Sequence, residues 1–195
     1  MPRSSFDHIP TPPAVRDRVA RPKGSRRRRF QVMGIVATLG LAAAVTTSAH
    51  ATPPSPPPAF SFEQLGRSLV SEPINTNRKF DDGTKLRLKT NRPIDVAMTR
   101  ASLAPGATTG WHLHGAVVFL AVTSGTITEY REHNGHCVPT TYTAGQAFVE
   151  DGQHAHVVVN ESNQPATWVI TLLLPKGATN GRIDAARPAA CAGIG

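Results

Sequence analysis

The chain has 195 residues and a formal net charge of +8 at pH 7. This length suits one ordinary domain and hardly two. The basic charge is concentrated at the start, where residues 1–51 hold nine Lys and Arg against two acidic residues. Residues 52–195 hold twelve against eleven, a net charge of only +1. Because a nucleic-acid-binding domain needs a basic face, we expect no nucleic-acid partner.

Residues 1–51 have the features of a secretory signal peptide. A basic segment that ends at Arg29 precedes an uncharged, mostly apolar stretch at residues 32–45. The small residues Ala49 and Ala51 follow at the A-x-A spacing of a cleavage site. We therefore predict cleavage after Ala51, a secreted or extracytoplasmic location and no stable membrane span after cleavage.

Two questions about this segment stay open in the sequence. An uncleaved membrane anchor is the alternative to cleavage, although the apolar stretch is shorter than the roughly 20 residues that a membrane span needs. The run from Arg27 to Phe30 resembles the core of a twin-arginine signal, but the residues that flank it match imperfectly. General and twin-arginine export are therefore both open, and either places the following domain outside the cytoplasm.

The remaining chain divides by composition into four parts. Residues 52–59 are a Pro-rich linker, for which extended polyproline II is expected. Residues 60–79 are expected to hold a short helix and a lead-in, because apolar residues recur there at spacings of three and four. Residues 80–175 form the predicted domain, and residues 176–195 form a Gly- and Ala-rich tail. The apolar residues of the predicted helix are Phe62, Leu65 and Leu69.

The predicted domain has the pattern of an all-β protein. Apolar residues alternate with period two, and turn sequences such as Asp82-Gly83 and Asn134-Gly135 punctuate them. About eight short strands with frequent turns are typical of a β-sandwich or β-barrel. Which alternate set of side chains faces the interior is open by one step of register, so the inward residue is either Val118 or Phe119.

The chain has two cysteines, Cys137 and Cys191, and both follow the predicted cleavage site. Exported domains with an even number of cysteines usually pair them. We predict a disulfide that ties the tail to the loop after Asn134-Gly135. Free thiols are the main alternative. A role as metal ligands is disfavoured because, apart from the adjacent His136, neither cysteine has a partner at zinc-finger spacing.

Two histidine pairs, His112 with His114 and His154 with His156, stand next to predicted turns. Side chains two residues apart on a strand share a face, so each pair places two imidazoles side by side. Imidazole is the commonest ligand of transition metals in proteins. Two such pairs on the strands of a small barrel can converge, which predicts a metal site. The alternative is that these histidines are structural.

Other groups with metal-binding chemistry are less informative. His133 and His136 flank Asn134-Gly135, and we interpret them as solvated loop residues. Glu129, Glu150 and Asp151 are further carboxylates, but the sequence does not show where their side chains lie.

The spacing of these residues resembles the two motifs of the small single-domain cupins. In the first motif, G-x5-H-x-H-x3–4-E-x6-G, the glutamate is replaced by Val118. The residues that match it are Gly106, His112, His114 and Gly125. In the second motif, G-x5-P-x-G-x2-H-x3-N, Asp151 and Gln153 replace the proline and the inner glycine. The residues that match it are Gly145, His156 and Asn160.

The resemblance covers roughly residues 85–175 and implies an all-β, single-domain cupin-like β-barrel, a jelly roll, here with the short helix before it. It also implies that His112, His114 and His156 bind a divalent transition metal. Val118 cannot ligate, so either water or His154 is expected to complete the ligand set. Such a site would suit Fe, Mn, Ni, Cu or Zn.

The function that follows is an exported cupin-domain protein that binds a divalent transition metal through histidines. No nucleophile with its base stands out, so the reaction is not named. The alternative is a non-catalytic small-molecule binding module with a degenerate or vestigial metal site, which the missing glutamate slightly favours. The partners that this interpretation allows are a small-molecule ligand and a second copy of the chain in a homodimer.

Overall fold

The computed structural model describes residues 51–195, and the predicted export segment before Ala51 lies outside these residues. Within the described part every regular element is a β-strand, apart from one turn of 3-10 helix at Ala189–Cys191. No helix of this part is long and apolar enough to cross a membrane. The strands are β1 (Phe60–Val70), β2 (Asn75–Lys79), β3 (Lys85–Lys89), β4 (Ile94–Leu103), β5 (His112–Leu113), β6 (Val117–Ser124), β7 (Thr126–His133), β8 (His136–Thr143), β9 (Ala147–Glu150), β10 (His156–Val159), β11 (Ala166–Pro175) and β12 (Ile183–Asp184).

The strands form two five-stranded antiparallel sheets and a separate hairpin. One sheet has the order β1-β4-β11-β6-β9, and the other has the order β12-β5-β10-β7-β8. The hairpin consists of β2 and β3. The main core includes apolar side chains of both sheets, among them Leu103, Ile127 and Trp168. The predicted all-β jelly roll is confirmed by this arrangement.

The pairing of β6 with β11 and β9 decides which of its side chains face inwards. Val118 is fully buried, whereas Phe119 is 44% exposed and its cross-strand partner Val149 is 54% exposed. Because alternate residues of a strand point to opposite faces, the even-numbered residues of β6 line the interior. This register places Val118 and its cross-strand partner Glu150 on the same inner face.

The helix predicted within residues 60–79 is wrong, because this segment begins with β1. β1 pairs with β4 from Phe60 to Val70, and the register shifts between Gln64 and Gly66. The extra residue at this bulge breaks the period-two pattern and leaves apolar residues at spacings that look helical. Backbone hydrogen bonds to β4 outweigh the weak intrinsic preference of one short amphipathic segment.

The Pro-rich linker at residues 52–59 lies against the domain. The backbone N–H of Ser55 donates to the carbonyl of Thr108 over 2.9 Å, and its hydroxyl accepts from the N–H of Thr108 over 2.9 Å. The Thr52 hydroxyl accepts from the N–H of Trp111 over 3.2 Å. These bonds fasten the linker beside the segment that leads into β5.

The predicted disulfide between Cys137 and Cys191 is confirmed. Cys191 is buried in a small second core with Trp111 and Val157. The indole N–H of Trp111 donates to the carbonyl of Ile194 over 2.9 Å. Three kinds of contact therefore hold the tail in place: a covalent bond to β8, apolar packing and a hydrogen bond. As a result β12 is aligned along β5.

Asp95 is a second anchor of the tail. Its carboxylate accepts from Nε and Nη2 of Arg67 on β1, over 3.1 and 2.5 Å, and from the backbone N–H of Gly177 over 2.9 Å. The Arg67 guanidinium, followed by the Gly177 amide, holds the pKa of Asp95 below its ordinary value of 3.8. One buried carboxylate thus joins β1, β4 and the start of the tail.

Removing the disulfide should destabilise the protein. The bridge closes a loop with a sequence separation of 54, so the double variant C137A/C191A should lose up to about 4 kcal/mol of unfolding free energy. Urea denaturation measures this loss. His136→Ala, an exposed change beside Cys137, is the control that should leave the midpoint in place. An unchanged midpoint in the double variant would contradict the structural role of the bridge.

Asp95→Asn should destabilise the protein in a pH-dependent way. The folded-state pKa of Asp95 is depressed, so its ionised form contributes stability above the unfolded-state value and loses it as the pH falls through the folded-state pKa. The gap in unfolding free energy between wild type and D95N should therefore be full near pH 6 and narrow below about pH 3.8. A gap of constant size across this range would show that the charge of Asp95 is irrelevant.

Candidate metal centre

Three of the four predicted histidines meet in the interior. His112 begins β5 and His156 begins β10, where the two residues are direct cross-strand partners. His114 follows β5 and shares the face of His112. The ring centroids of His112 and His156 are 4.4 Å apart, and those of His112 and His114 are 4.9 Å apart. One ring nitrogen from each residue lies within 4.8 Å of the other two, close enough to share one ion.

Backbone carbonyls set the orientation of all three rings. Nδ1 of His112 donates to Gly110 over 2.9 Å, Nδ1 of His114 to Gly181 over 2.7 Å, and Nδ1 of His156 to the carbonyl of His154 over 3.0 Å. A carbonyl oxygen only accepts, so each Nδ1 carries the proton. In the neutral ring Nε2 is then an unprotonated acceptor, which is the tautomer that a metal-binding histidine needs.

Glu150, at the end of β9, completes the cluster. Its Oε2 lies 3.1 Å from Nε2 of His114, and its Oε1 lies 3.2 Å from Nε2 of His156. Its partner across the β6–β9 pair is Val118, the residue that stands where the cupin motif has glutamate. Side chains directly opposite on antiparallel strands are close neighbours on one face. Glu150 therefore presents a carboxylate from the adjacent strand on the same inner face as Val118.

The electrostatics of this cluster fit a cation. Burial, followed by the charges of His156, Arg182 and His114, lowers the pKa of His112 to about 2. Burial also lowers the pKa of His156. Burial raises the pKa of Glu150, but His114 and His156 outweigh it and lower that pKa, so positive charge beside the carboxylate favours its ionised form. Burial disfavours protonation of the His112 and His156 rings themselves, so a bound cation would supply that charge instead.

The neutral imidazoles and the Glu150 carboxylate do not stabilise one another unless a further partner is bound. Both oxygens of Glu150 are buried and neither makes a hydrogen bond. An unprotonated Nε2 opposite a carboxylate oxygen sets one lone pair against another, which is unfavourable in a buried site. A cation bound by these atoms would remove that penalty. The residues present therefore fit a divalent transition metal, for which imidazole and carboxylate are suitable ligands.

A second buried carboxylate, that of Glu129, lies next to the cluster. Glu129 on β7 accepts from Nη2 of Arg131 over 2.5 Å through Oε2, while its Oε1 has no partner. Burial raises the pKa of Glu129 although Arg131 opposes the shift. Glu129, Glu150 and His156 form a second group that could hold an ion. Glu129 thus lies close to both Glu150 and His156.

The structure does not bring His154 into the cluster. Its side chain is 67% exposed, and Nδ1 lies 3.2 Å from Oδ1 of Asp151 in the turn before β10. The pairing that predicts a shared face with His156 requires an extended strand, and β10 begins only at His156. His133 and His136 are exposed on either side of the β7–β8 turn, as the sequence predicts.

A cavity of about 470 Å³ lies beside the cluster. Its walls are mainly apolar and include side chains of β1, β6 and β11. Arg182, which precedes β12 in the tail, also lines it. The sequence alone does not show where Glu150 lies, and it gives no signal for Arg182. Glu150 was detectable only through its position opposite Val118, and Arg182 carries no local signal because the tail lacks a strand pattern.

The comparison with family models agrees with this fold. Residues 99–172 match the family model of the cupin domain. No curated protein matches the chain. A structure of recombinant oxalate oxidase in complex with glycolate is 24% identical over 40% of this chain and 41% of that chain, with a TM-score of 0.37. This chain thus spans about two fifths of that protein.

Two smaller structures are covered almost completely. The Cupin_2 domain of an XRE family transcriptional regulator from Enterobacter cloacae is 19% identical over 60% of this chain and 99% of that chain, with a TM-score of 0.39. A cupin domain from Bordetella pertussis Tohama I is 20% identical over 52% of this chain and 92% of that chain, with a TM-score of 0.36. With the family match, the two-sheet barrel and the histidine cluster, residues 99–172 are identified as a cupin domain.

Proposed function

We propose that the protein is an exported cupin that binds one divalent transition metal ion through His112, His114, His156 and Glu150. The observation that carries the proposal is the set of three bonds from Nδ1 to backbone carbonyls. In neutral rings they leave all three Nε2 atoms unprotonated, and those of His114 and His156 lie beside the two oxygens of Glu150, which have no hydrogen-bond partner. A merely structural histidine cluster would not need this common tautomer or a buried carboxylate facing it.

The donor set favours some metals over others. Three imidazoles and one carboxylate suit Fe(II), Mn(II), Ni(II), Cu(II) or Zn(II), whereas Ca²⁺ and Mg²⁺ prefer sites made only of oxygen. The single negative charge of Glu150 offsets half the charge of a divalent ion. When bound, the ion would supply Lewis acidity at the edge of the cavity.

The chain's own residues orient and shield this site. The carbonyls of Gly110, Gly181 and His154 fix the rings before any ligand arrives. The apolar walls of the cavity, such as Trp168 and Ile170, limit the access of water. Apart from the proposed ligands, the described side chains of the cavity wall include no carboxylate, histidine or lysine that could act as a general base.

That composition leaves the alternative of a non-catalytic binding module in place. Both functions use the same metal and the same cavity. They differ in turnover, so a substrate screen with the metal-loaded protein separates them.

Export is also part of the proposal. A disulfide persists in oxidising compartments and is rare in the cytosol, and Cys137 pairs with Cys191 here. Cleavage after Ala51 would release a chain that begins at Thr52, whose hydroxyl already bonds the domain. Analysis of the N-terminal residue of the exported protein tests this directly.

The purified protein, prepared without chelator, should hold about one equivalent of a transition metal. His112→Ala, His156→Ala and Glu150→Gln should each lower the metal content to a small fraction, because each removes one ligand. His133→Ala and His154→Ala are matched controls that should keep it. Elemental analysis measures the content. A wild type with well under one equivalent, whose Tm added metal does not raise, would refute the metal site.

A sharper test moves the carboxylate from position 150 on β9 to position 118 on β6. Glu150→Val should lose metal, and the exchange variant E150V/V118E should recover most of it, because residues 118 and 150 are direct cross-strand partners. The exchange keeps composition and volume. Metal affinity, measured by competition with a coloured chelator, reports the result. An exchange variant that folds normally yet binds no better than E150V would contradict the equivalence of the two positions.

A further inference from the structure

Arg182 has an unusual environment for a cation. It comes directly before β12, which pairs with β5 so that Asp184 is opposite His112. Its Nε donates to Oδ1 of Asp184 over 3.0 Å. Its two terminal nitrogens, Nη1 and Nη2, are buried and have no hydrogen-bond partner. Because the side chain lines the cavity, its free donors have no acceptor other than what the cavity holds.

The other arginine of the cavity wall differs in this respect. Arg67 donates twice to Asp95, and its Nη2 also donates to the carbonyl of Ala178 over 2.6 Å. Its charge is therefore matched by a buried carboxylate. Among the described cavity-lining cations, only Arg182 has both terminal nitrogens unpaired.

Buried, unpaired guanidinium donors are costly, and a planar oxyanion relieves that cost best. The fork of Nη1 and Nη2 matches the two oxygens of a carboxylate and can donate two parallel hydrogen bonds. The charges around the cavity also favour an anion. A divalent ion with Glu150, and Arg182 with the largely exposed Asp184, leave an excess positive charge that one carboxylate would balance.

The rest of the cavity favours an apolar body on that anion. Phe60, Trp168, Ile170 and Leu172 line it, and its volume of about 470 Å³ is within the range of sites for small organic molecules. A small dicarboxylate would leave these apolar side chains without a partner, and its second charge would have to reach the proposed metal ion or displace Asp95 from Arg67. A monocarboxylate with an apolar body fills both the Arg182 fork and the apolar wall.

We propose that the cavity binds a small monocarboxylic acid with an apolar body, whose carboxylate accepts hydrogen bonds from Nη1 and Nη2 of Arg182. The body lies against Trp168 and Ile170. This inference deepens the proposed function and rests on it, because the acid shares the cavity with the proposed metal ligands. The tail, held by Cys137–Cys191, thereby becomes the element that selects the ligand.

Titration calorimetry on the purified full protein tests the proposal, with phenylacetate as the probe. Phenylacetate should bind at one site, at least about tenfold more tightly than the neutral phenylacetamide, since a charge-assisted pair is worth upwards of 1.4 kcal/mol. Acetate, which lacks the apolar body, should bind more weakly than phenylacetate. Arg182→Gln should weaken phenylacetate binding at least about tenfold and leave the metal content unchanged. Arg187→Gln, on the same tail but outside the cavity wall, is the matched control.

Each outcome decides a different question. Equal affinities for acid and amide, or an R182Q variant that binds phenylacetate like wild type, would overturn the role of Arg182. Stoichiometric metal with no binding of phenylacetate or 4-methylpentanoate would overturn this inference and leave the metal site intact. Binding of phenylacetate through Arg182 in a protein that holds no metal would overturn the metal site and leave the role of Arg182 intact. If R182Q does not fold, Arg182→Lys, which keeps the charge but loses the fork, should show an intermediate affinity.

Discussion

The three hydrogen bonds from Nδ1 to backbone carbonyls determine what the centre of this domain can do. They fix the tautomer of each neutral imidazole, and they place Nε2 of His114 and of His156 beside Glu150. Two of the carbonyls, those of Gly110 and His154, belong to segments that lead into β5 and β10. The third, that of Gly181, belongs to the tail. The orientation of His114 therefore depends on residues outside the matched cupin segment.

Because the orientation of His114 depends on the tail, the contacts that anchor the tail also affect the proposed metal site. The disulfide, the hydrogen bond from the Trp111 indole to Ile194 and the hydrogen bond from the Gly177 N–H to Asp95 hold the tail at separate points. The residues that make these three bonds do not line the cavity. Together they nevertheless hold the tail that contains Gly181. Loss of any one would loosen a carbonyl that orients a proposed ligand, so stability and binding are expected to be coupled in this chain.

The sequence carried enough information for the fold and for part of the site. Period-two alternation and Gly-containing turns report side-chain burial and backbone conformation directly, so most strands and the three central histidines could be predicted. Three features depend on pairing between distant segments and could not. β1 looked helical because its bulge at Gln64–Gly66 shifts the period. Predicting the position of Glu150 requires the β6–β9 register, and predicting the position of Arg182 requires the path of the tail.

The pairing of Val118 with Glu150 shows why motif spacing alone is an incomplete guide to such sites. A motif records positions along one strand, whereas a ligand shell requires atoms at positions in space. Across an antiparallel pair two residues far apart in sequence present side chains to the same spot, so a carboxylate can move to the neighbouring strand without a change of backbone. The vacated position then tolerates an apolar residue, and Val118 is fully buried there. In the proposed metal site, the missing glutamate of the first cupin motif would therefore not remove the carboxylate ligand.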